Sequence, residues 1–481
     1  MLLSARLKAA LLATASLTLL GAAPPPQAHP LGIGDPLFPH LGNPGYDVTA
    51  YDISLAYGGD NTAPLDAVTV IDARSTARLE RINLDFAHGE ASSVTVDGAP
   101  ARFAPAGEDL VVTPAEPVPA GSPLRITVRH TSDPAEPAEG QGGWVRTRDG
   151  LVMANQADAA HRVFPCNDHP ADKAGFTFRV TTPKRLTAVA GGLPAGKPVT
   201  RGATTTWTYR TAHPMATELA QVGIGDLTVV RREGPGGLPL RDVVPTGDRK
   251  ALEPWLSRTP EQLGWLQDRL GPYPFETYGL LVADAETGFE LETQTLSLFE
   301  RNLFTGAADR GYVESIMVHE LAHQWFGNSV SPAAWSDLWI SESHATWYEA
   351  LWAEEHGGPA LEDRMRAAYR DSDSWRAAGG PPARPKAPEP GEKISLFRPI
   401  VYDGSALVLY ALRQEIGEAA FAELQRAWVR EYRDANASTT DFVTLASRTT
   451  GRDLTAFFQG WLYAERTPAM PGHPQWRSEA P

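Results

Sequence analysis

The spacing of hydrophobic positions divides this chain into two parts. From Tyr46 to about Val244, apolar and polar residues mostly alternate, as in Tyr51-Asp-Ile-Ser-Leu-Ala-Tyr57, and proline and glycine interrupt the pattern repeatedly. Alternation is typical of β-strands that bury one face. The Asp97-Gly98 pair between two short apolar runs indicates a hairpin turn. We therefore predict an all-β domain over residues 29–245, with further strands near residues 124–128, 176–180, 204–209 and 227–231.

From about residue 246 onward, apolar residues recur every three or four positions, which is typical of helices that pack on one side. The clearest case runs from Tyr312 to Phe326, and a second predicted helix extends from Asp337 to Glu355. We therefore predict a mostly helical domain over residues 246–468, which makes the chain a two-domain protein of the α+β class. Other predicted helices cover residues 255–270, 360–375, 405–416, 418–432, 440–449 and 454–462, and short strands cover 278–283 and 295–299.

Two segments in the second half lack a regular pattern. Residues 377–392 are rich in proline and glycine, which predicts a loop. We predict a disordered tail over residues 469–481, because this segment is short, polar and close to a chain end.

Length and composition agree with two domains that bury well-filled cores. The chain has 481 residues, of which 42% are apolar, and this is too long for one ordinary domain. Its formal net charge of −15 argues against nucleic acid and against an anionic membrane surface as partners. The single cysteine, Cys166, excludes an internal disulfide, and its apolar neighbours predict a buried structural position.

The first residues have the pattern of a secretory signal peptide. Arg6 and Lys8 give a positive start, residues 9–20 are an uncharged and mostly apolar run, and small residues follow at 21–23. The run is too short to anchor the chain in a bilayer, and no cysteine follows it for a lipid anchor. We assign residues 1–28 to a signal peptide and spacer, and expect a secreted, extracellular protein without a stable membrane anchor.

Candidate chemistry is concentrated in the two clearest helices. His319 and His323 are four residues apart, so they share one face of a helix and can reach one metal ion. Glu342 follows His323 after eighteen intervening residues, enough to leave one helix and enter the next. A His₂Glu set fills three positions of a tetrahedral zinc site and leaves one for water, which is typical of catalytic sites. Glu320, beside His319, is placed to act as a general base. The alternative is that His-Glu-x-x-His is a chance string on an ordinary helix.

The motif and its surroundings resemble the gluzincin metalloaminopeptidases, the membrane-alanyl-aminopeptidase and leukotriene-hydrolase family. The resemblance covers roughly residues 44–465 and includes the stretches His319-Glu-Leu-Ala-His-Gln-Trp-Phe-Gly-Asn328, Phe164-Pro-Cys-Asn-Asp-His-Pro170, Gly271-Pro-Tyr-Pro-Phe275 and Tyr402-Asp-Gly-Ser-Ala-Leu407, in the family's order. It implies a saddle-like N-terminal sheet domain, a thermolysin-like zinc peptidase domain and one zinc per chain. Longer members carry a further helical domain. Too few residues follow position 468 to form such a domain, so we expect a short two-domain member.

The resemblance also implies further site residues. Tyr402 occupies the position of the catalytic tyrosine, which would donate a hydrogen bond to the oxyanion. Glu292 occupies the position of a glutamate that binds the substrate's α-ammonium group, and Gln156 stands where many members have a second glutamate. Gln156 could equally be an ordinary loop residue. Glu290 could be another amine-binding carboxylate, although it lies outside the family's glutamate position.

The helix after the zinc motif also offers carboxylates that could orient the zinc ligands. Glu349 lies two turns after Glu342 on the same helical face and is the first candidate to orient a histidine. Asp337 is the second candidate, and either residue could instead be an exposed helix carboxylate. His344, two residues from Glu342, should point away from the metal.

These residues predict a zinc-dependent aminopeptidase that removes N-terminal residues from peptides with a free N-terminus. The mechanism implied uses a zinc-activated water, Glu320 as general base and Tyr402 as oxyanion donor. Two alternatives remain open: a catalytically weak peptide-binding module on the same fold, and a lipid-epoxide hydrolase as in one branch of the family.

Overall fold

The structure is a computed structural model that describes residues 31–135, 142–388 and 396–479. The predicted signal peptide and part of the predicted loop at 377–392 lie outside these ranges. None of the helices in the described ranges combines the length and the apolar character that a membrane span needs.

The first half of the chain forms β-sheets, as its alternating pattern predicts. The largest sheet among the described residues has nine strands, and its central strand, Tyr46–Ala56, pairs antiparallel with Leu65–Ser75 and parallel with Gly175–Pro183. The strands are β1 Tyr46–Ala56, β2 Leu65–Ser75, β3 Ile82–Asp85, β4 Ala91–Val96, β5 Ala99–Pro100, β6 Arg102–Ala106, β7 Asp109–Thr113, β8 Pro123–Ser132, β9 Gly143–Arg146, β10 Leu151–Ala154, β11 Gly175–Pro183, β12 Thr187–Ala190, β13 Leu193–Pro194, β14 Val199–Arg201, β15 Thr204–Arg210, β16 Val222–Gly225, β17 Leu227–Glu233, β18 Pro239–Pro245, β19 Leu280–Ala283, β20 Ser297–Glu300, β21 Ser331–Pro332 and β22 Asn436–Ala437.

Alternation along the central strands sends one set of side chains into a single core. Tyr51 pairs with Ile71 on β2 and with Phe176 on β11, and all three side chains are buried. The rings of Tyr51 and Phe176 stack with their centroids 4.9 Å apart. Cys166 is fully buried in the same cluster, at the kind of position that its apolar neighbours predict.

The predicted domain boundary at residue 245 falls at the end of a strand whose sheet continues into the helical half. β18 ends at Pro245, pairs antiparallel with β17 and lies parallel to β19, with Val243 opposite Leu281. Strands from both sides of the boundary therefore form one four-stranded sheet in the order β17-β18-β19-β20. Val243 packs in the β-domain core, whereas the adjacent Val244 packs in the helical core.

The second half is mostly helical, which confirms the α+β class. The predicted helix at 255–270 is two helices, because Pro260 lacks a backbone N–H and begins a new helix after residue 258. The helices of the described residues are α1 Arg249–Leu256, α2 Thr259–Leu270, α3 Arg301–Thr305, α4 Arg310–Ala322, α5 Leu338–Glu355, α6 Leu361–Gly379, α7 Asp403–Ile416, α8 Glu418–Glu431, α9 Thr439–Thr450 and α10 Thr455–Tyr463.

The segment expected to be a disordered tail is packed as far as the structure describes it, up to residue 479. Met470 and Trp476 are buried, and the Trp476 ring stacks on Tyr410 of α7 with an angle of 9° between the planes. His473 hydrogen-bonds to the Tyr410 hydroxyl at 2.9 Å. The prediction of disorder from residue 469 is therefore wrong for these residues, because their partners lie on a helix about sixty positions earlier in the sequence.

At the other end of the described chain, residues 31–43 join the two halves. The carboxylate of Asp35 accepts hydrogen bonds from the backbone N–H groups of Leu37 and Trp335, and it bonds to His169 Nε2 at 3.1 Å. Leu37 and Phe38 pack in a small cluster with Trp335 and with side chains next to the site described below, namely Ala157, Leu338, Ile400 and Val401. This short segment therefore supports elements from both halves of the protein.

Candidate active site

His319, His323 and Glu342 converge at the junction of α4 and α5. The Asp309 side chain caps the start of α4 by accepting from the backbone N–H of Gly311. His319 lies in the last turn of α4 and His323 directly follows it. His319 Nε2 is 3.4 Å and His323 Nε2 is 3.3 Å from Glu342 Oε2. The three ligand atoms lie within 4.8 Å of one another, and all three residues are buried.

This cluster fits one zinc ion. Glu342 Oε2 is buried and has no hydrogen-bond partner among the described residues, although two imidazole nitrogens face it at 3.3 and 3.4 Å. The imidazoles keep the Glu342 carboxyl ionised by lowering its pKa to about 2, against the effect of burial. Burial disfavours a charged His319, but the carboxylates of Glu342 and Glu349 outweigh it and raise the pKa of His319 well above its usual value. The site thus favours positive charge, and two imidazole nitrogens with one carboxylate oxygen are donor atoms of the kinds that bind zinc.

Contacts behind the ligands fix which imidazole nitrogen faces the metal position. His319 Nδ1 is 2.9 Å from Glu349 Oε2. His323 Nδ1 is 3.0 Å from both the carbonyl oxygen of Phe326 and Ser341 Oγ. Each imidazole therefore turns its Nε2 toward Glu342 and away from these partners. The sequence indicated Glu349 as a residue that orients a histidine, but it did not indicate that Ser341 or the Phe326 carbonyl would contact His323.

Gly327 is required for this arrangement. Its φ of +115° is rarely adopted by other residues, and a Cβ there would lie 2.3 Å from Ser341 Oγ and 3.4 Å from His323 Nδ1. The turn after α4 can therefore approach the second histidine closely only with glycine at this position.

Asp337 does not orient either histidine, which corrects the second candidate from the sequence. Its carboxylate accepts hydrogen bonds from the backbone N–H and the hydroxyl of Thr439, at 2.9 and 2.7 Å, and from the backbone N–H of Ala334. Asp337 therefore fastens the start of α5 to the start of α9. It lies five positions before Glu342 rather than seven after it, so it occupies a different face and turn of the helix.

His344 also lies away from the metal cluster, as its spacing from Glu342 predicts. Its ring stacks on Phe326 with 4.0 Å between centroids, and its Nδ1 bonds to the carbonyl oxygen of Ile340 at 2.6 Å. Burial lowers the pKa of His344 to about 3, so the imidazole is neutral and packs as an aromatic ring.

The candidate base and oxyanion donor flank the metal cluster. Glu320 is buried, and its Oε2 has no hydrogen-bond partner in the described part of the chain. Burial raises the pKa of Glu320 to about 8, against the lowering effect of His319 and His323. The Tyr402 ring lies 6.0 Å from the His319 ring, measured between centroids. Burial and the nearby carboxylates raise the pKa of Tyr402 well above its usual value, which keeps its phenol protonated as a donor.

Glu292 and Gln156 lie together, although 136 positions separate them in the sequence. Gln156 Nε2 donates to Glu292 Oε1 at 2.6 Å. The backbone carbonyl of Glu292 accepts from the side-chain amides of Gln324 and Asn328, at 3.1 and 2.6 Å. Because Gln324 directly follows His323 and Asn328 lies five positions after it, these bonds hold the backbone of Glu292 close to the metal cluster. The sequence motif contains both amides, but nothing in their spacing indicated this role.

Glu290, the other carboxylate considered from the sequence, is half-buried. Burial raises its pKa to about 7, and the carboxylate of Glu300 adds to the effect. Gln156 donates its hydrogen bond to Glu292 and not to Glu290.

Two family models match this chain in order along the sequence. The peptidase M1 N-terminal domain matches residues 69–219 and the peptidase family M1 domain matches residues 256–461. Among curated proteins, aminopeptidase M1-B of Oryza sativa subsp. japonica is 26% identical over 337 residues, which are 67% of this chain and 38% of that protein. The leucyl aminopeptidase of Saccharolobus solfataricus is 26% identical over 346 residues, which are 69% of this chain and 42% of that protein. The chain thus spans about two fifths of the length of these relatives.

Solved structures match over nearly their whole length. The M1 zinc metallopeptidase from Deinococcus radiodurans has a TM-score of 0.77 and 28% identity, and the match covers 92% of this chain and 98% of that one. A mutant of a two-domain M1 zinc metallopeptidase bound to L-arginine has a TM-score of 0.78 and 28% identity, with 92% and 99% covered. A mutant from Deinococcus radiodurans bound to a Tyr-Ser-Ala substrate matches equally well, with a TM-score of 0.78. From these domain matches, this fold and the ligand set at its centre, we conclude that the chain belongs to the peptidase M1 family.

Proposed function

We propose that this protein is a zinc-dependent aminopeptidase that removes the first residue of peptides with a free N-terminus. The observation that carries the proposal is the position of Glu292. Glu292 is 4% exposed, and its carboxylate accepts from Gln156. Its backbone carbonyl accepts from Gln324 and Asn328, in the segment that bears the zinc ligand His323. A buried carboxylate beside a hydrolytic zinc site is what an enzyme needs to bind a terminal ammonium next to the bond it cleaves.

Zinc held by His319, His323 and Glu342 would lower the pKa of a coordinated water to about 7 and polarise a carbonyl group. Glu320 removes a proton from the attacking water and delivers it to the leaving amine nitrogen. Its buried Oε2, free of other hydrogen bonds in the described structure, is available for that proton. Tyr402 remains protonated and donates its phenol O–H to the oxyanion that develops on the carbonyl oxygen.

Glu292 and Gln156 set where the substrate begins. The terminal ammonium donates to the Glu292 carboxylate, and the Gln156 side-chain carbonyl supplies a neutral acceptor beside it. Because only Glu292 of this pair carries charge, it contributes most of the attraction. A peptide anchored in this way places its first peptide bond, and not an internal one, at the zinc site.

The proposal is tested with a panel of aminoacyl amides and short peptides, assayed as free amines and as N-acetylated forms. The purified protein should contain one zinc per chain by elemental analysis. Activity should disappear with a chelator and return with zinc. Free amines should be hydrolysed, and acetylated forms should be poor substrates because they lack the ammonium.

Equal cleavage of acetylated and free peptides would show an endopeptidase and would remove the role given to Glu292. Zinc binding without hydrolysis of any peptide would favour a peptide-binding module. Absence of zinc, both in the native protein and after reconstitution, would rule out the catalytic proposal.

We also propose that the protein is exported and acts outside the cytoplasm. The support is the sequence pattern of residues 1–28, with its positive start, apolar run and small residues. The test is to express the full chain and a variant lacking residues 2–28 in a Gram-negative host, and to fractionate the cells. The full chain should appear outside the cytoplasm with its N-terminus shortened, as read by N-terminal sequencing, while the variant stays inside. Retention of an intact N-terminus in the cytoplasm would contradict export.

A further inference from the structure

A chain of three hydrogen-bonded side chains connects the zinc ligand His319 with the start of α7. Glu349 contacts His319 Nδ1 through its Oε2 at 2.9 Å. Its other oxygen, Oε1, accepts from Arg364 Nη1 at 2.6 Å. Arg364 Nε donates in turn to Asp403 Oδ1 at 2.6 Å. Asp403 is the first residue of α7 and directly follows Tyr402.

This connection joins three separate helices. Glu349 belongs to α5, Arg364 to α6 and Asp403 to α7. Arg364 is the only one of the three that touches both others, and it uses two different nitrogen atoms of its planar guanidinium group. Such a planar group fixes the angle between its two partners, whereas a lysine ammonium would donate to both from one rotatable nitrogen atom and fix no such angle.

Tyr402 depends on this end of α7 for its position. It has non-helical backbone angles and precedes the helix, and its carbonyl oxygen accepts from the backbone N–H of Ser405 and Ala406. The Ser405 hydroxyl donates to the Ile400 carbonyl at 2.9 Å. These bonds determine the turn around Tyr402, whereas the Arg364–Asp403 bond links that turn to the metal site.

We propose that Arg364 is a positioning residue that sets the distance between the Tyr402 phenol and the metal-binding imidazole of His319. This inference rests on the aminopeptidase function proposed above. Arg364 touches neither substrate nor metal in this scheme. It acts through Asp403 on Tyr402 and through Glu349 on His319, so it couples the oxyanion donor to the metal site. Neither the zinc motif nor the tyrosine segment contains it.

If Arg364 only balanced the charge of Glu349, its loss would weaken zinc binding and leave the zinc-saturated enzyme unchanged. If it positions Tyr402, its loss also lowers kcat at saturating zinc, and that effect depends on the Tyr402 hydroxyl. A double-mutant cycle measures this dependence directly.

The experiment uses the full chain with Arg364→Met, Asp403→Ala and Tyr402→Phe, and the two double variants that combine Tyr402→Phe with each of the other substitutions. The matched control is Arg366→Met on the same helix. Arg366 is exposed and pairs only with Glu362 and Asp363 among the described residues. For each variant we would measure the zinc dissociation constant by chelator competition, kcat and KM at saturating zinc, and the melting temperature.

Arg364→Met should raise the zinc dissociation constant about 10- to 100-fold, as loss of support for a ligand does. It should lower kcat at saturating zinc about 10-fold, with KM nearly unchanged, because a small misplacement of a catalytic group is costly. In the Tyr402→Phe background the same change should lower kcat less than about 2-fold. Asp403→Ala, which removes the acceptor for Arg364 Nε, should lower kcat but keep the zinc affinity, since the Arg364–Glu349 bond remains. Arg366→Met should change neither quantity.

Equal losses of kcat from Arg364→Met with and without the Tyr402 hydroxyl would overturn the proposal, as would an unchanged kcat at saturating zinc. If Arg364→Met does not fold, Asp403→Ala decides by the same comparison, made with and without Tyr402→Phe. If the zinc-loaded wild type hydrolyses no peptide, the proposed function fails separately. A crystal structure of Asp403→Ala then decides the inference: a Tyr402 ring displaced from His319 supports it, and an unmoved ring refutes it.

Discussion

The substitution Glu292→Gln separates the charge of the amine pocket from its shape. The Glu292 side chain is 4% exposed, and its Oε1 accepts from Gln156 Nε2 at 2.6 Å. Glutamine has the same size and keeps an oxygen that can accept from Gln156. The backbone carbonyl that binds Gln324 and Asn328 is unaffected by the change. Folding should therefore be preserved while the negative charge that attracts the substrate ammonium is lost.

The size of the effect follows from the kind of hydrogen bond that is lost. A hydrogen bond to a charged group contributes about 1.5–3 kcal/mol, and a neutral one about 0.5–1.5 kcal/mol. Since about 1.4 kcal/mol corresponds to a factor of ten in rate, Glu292→Gln should lower kcat/KM for free-amine peptides about 10- to 150-fold. Gln156→Ala removes only a neutral group and should lower kcat/KM about 2- to 13-fold.

The assay compares kcat/KM for one peptide with a free N-terminus in the wild type and in both variants, at saturating zinc. Zinc content and melting temperature, measured on the same preparations, should stay close to those of the wild type. A loss below about 5-fold for Glu292→Gln, or a larger loss for Gln156→Ala, would refute the assignment of Glu292 as the main ammonium ligand.

Three further substitutions test separate parts of the structure. Glu320→Gln should keep the zinc, because Glu320 is not one of the three converging residues. It should lower kcat by about 10²–10⁴. Loss of zinc, measured by elemental analysis, would instead show a structural role for Glu320. Tyr402→Phe should lower kcat by about 10²–10³ with little change in KM, and an unchanged kcat would place the oxyanion donor elsewhere. Asp35→Asn should lower the unfolding free energy at pH 7 by about 1–3 kcal/mol, measured by denaturant titration. Burial opposes ionisation of Asp35, but hydrogen bonds from His169 and Trp335 outweigh it and hold the pKa of Asp35 below the usual value. The stabilisation by the ionised Asp35 is therefore present above about pH 4 and lost in more acidic solution. A difference in unfolding free energy between Asp35→Asn and the wild type that persists at low pH would contradict this origin.

Local periodicity carried much of the information about this protein. The change from alternating to helical spacing near residue 246 predicted a β-rich part followed by a helical part, and the fold confirms it. The spacing of His319 and His323 placed both imidazoles on one helical face, because that geometry depends only on the helical repeat. In the structure, the ligand atoms of these two histidines and of Glu342 lie within 4.8 Å of one another.

The segments that the sequence described incorrectly are those whose conformation depends on distant partners. Residues 469–479 have no periodic pattern, but Trp476 stacks on Tyr410. Asp337 lies near Glu342 in the sequence, but its carboxylate bonds to Thr439. In both cases a side chain about 60 to 100 positions away determines the outcome, and no local pattern records it.

Sequence patterns alone predicted a β-rich part followed by a helical part, and the residue types that can hold zinc. These follow from short-range spacing, which is fixed by backbone geometry. The groups that support the site are known only from the three-dimensional packing: Ser341 behind His323, Gln156 against Glu292, and Arg364 between α5 and α7. Such contacts depend on how helices and loops pack in three dimensions, because a hydrogen bond forms only when both partners are brought within about 3 Å in the right orientation.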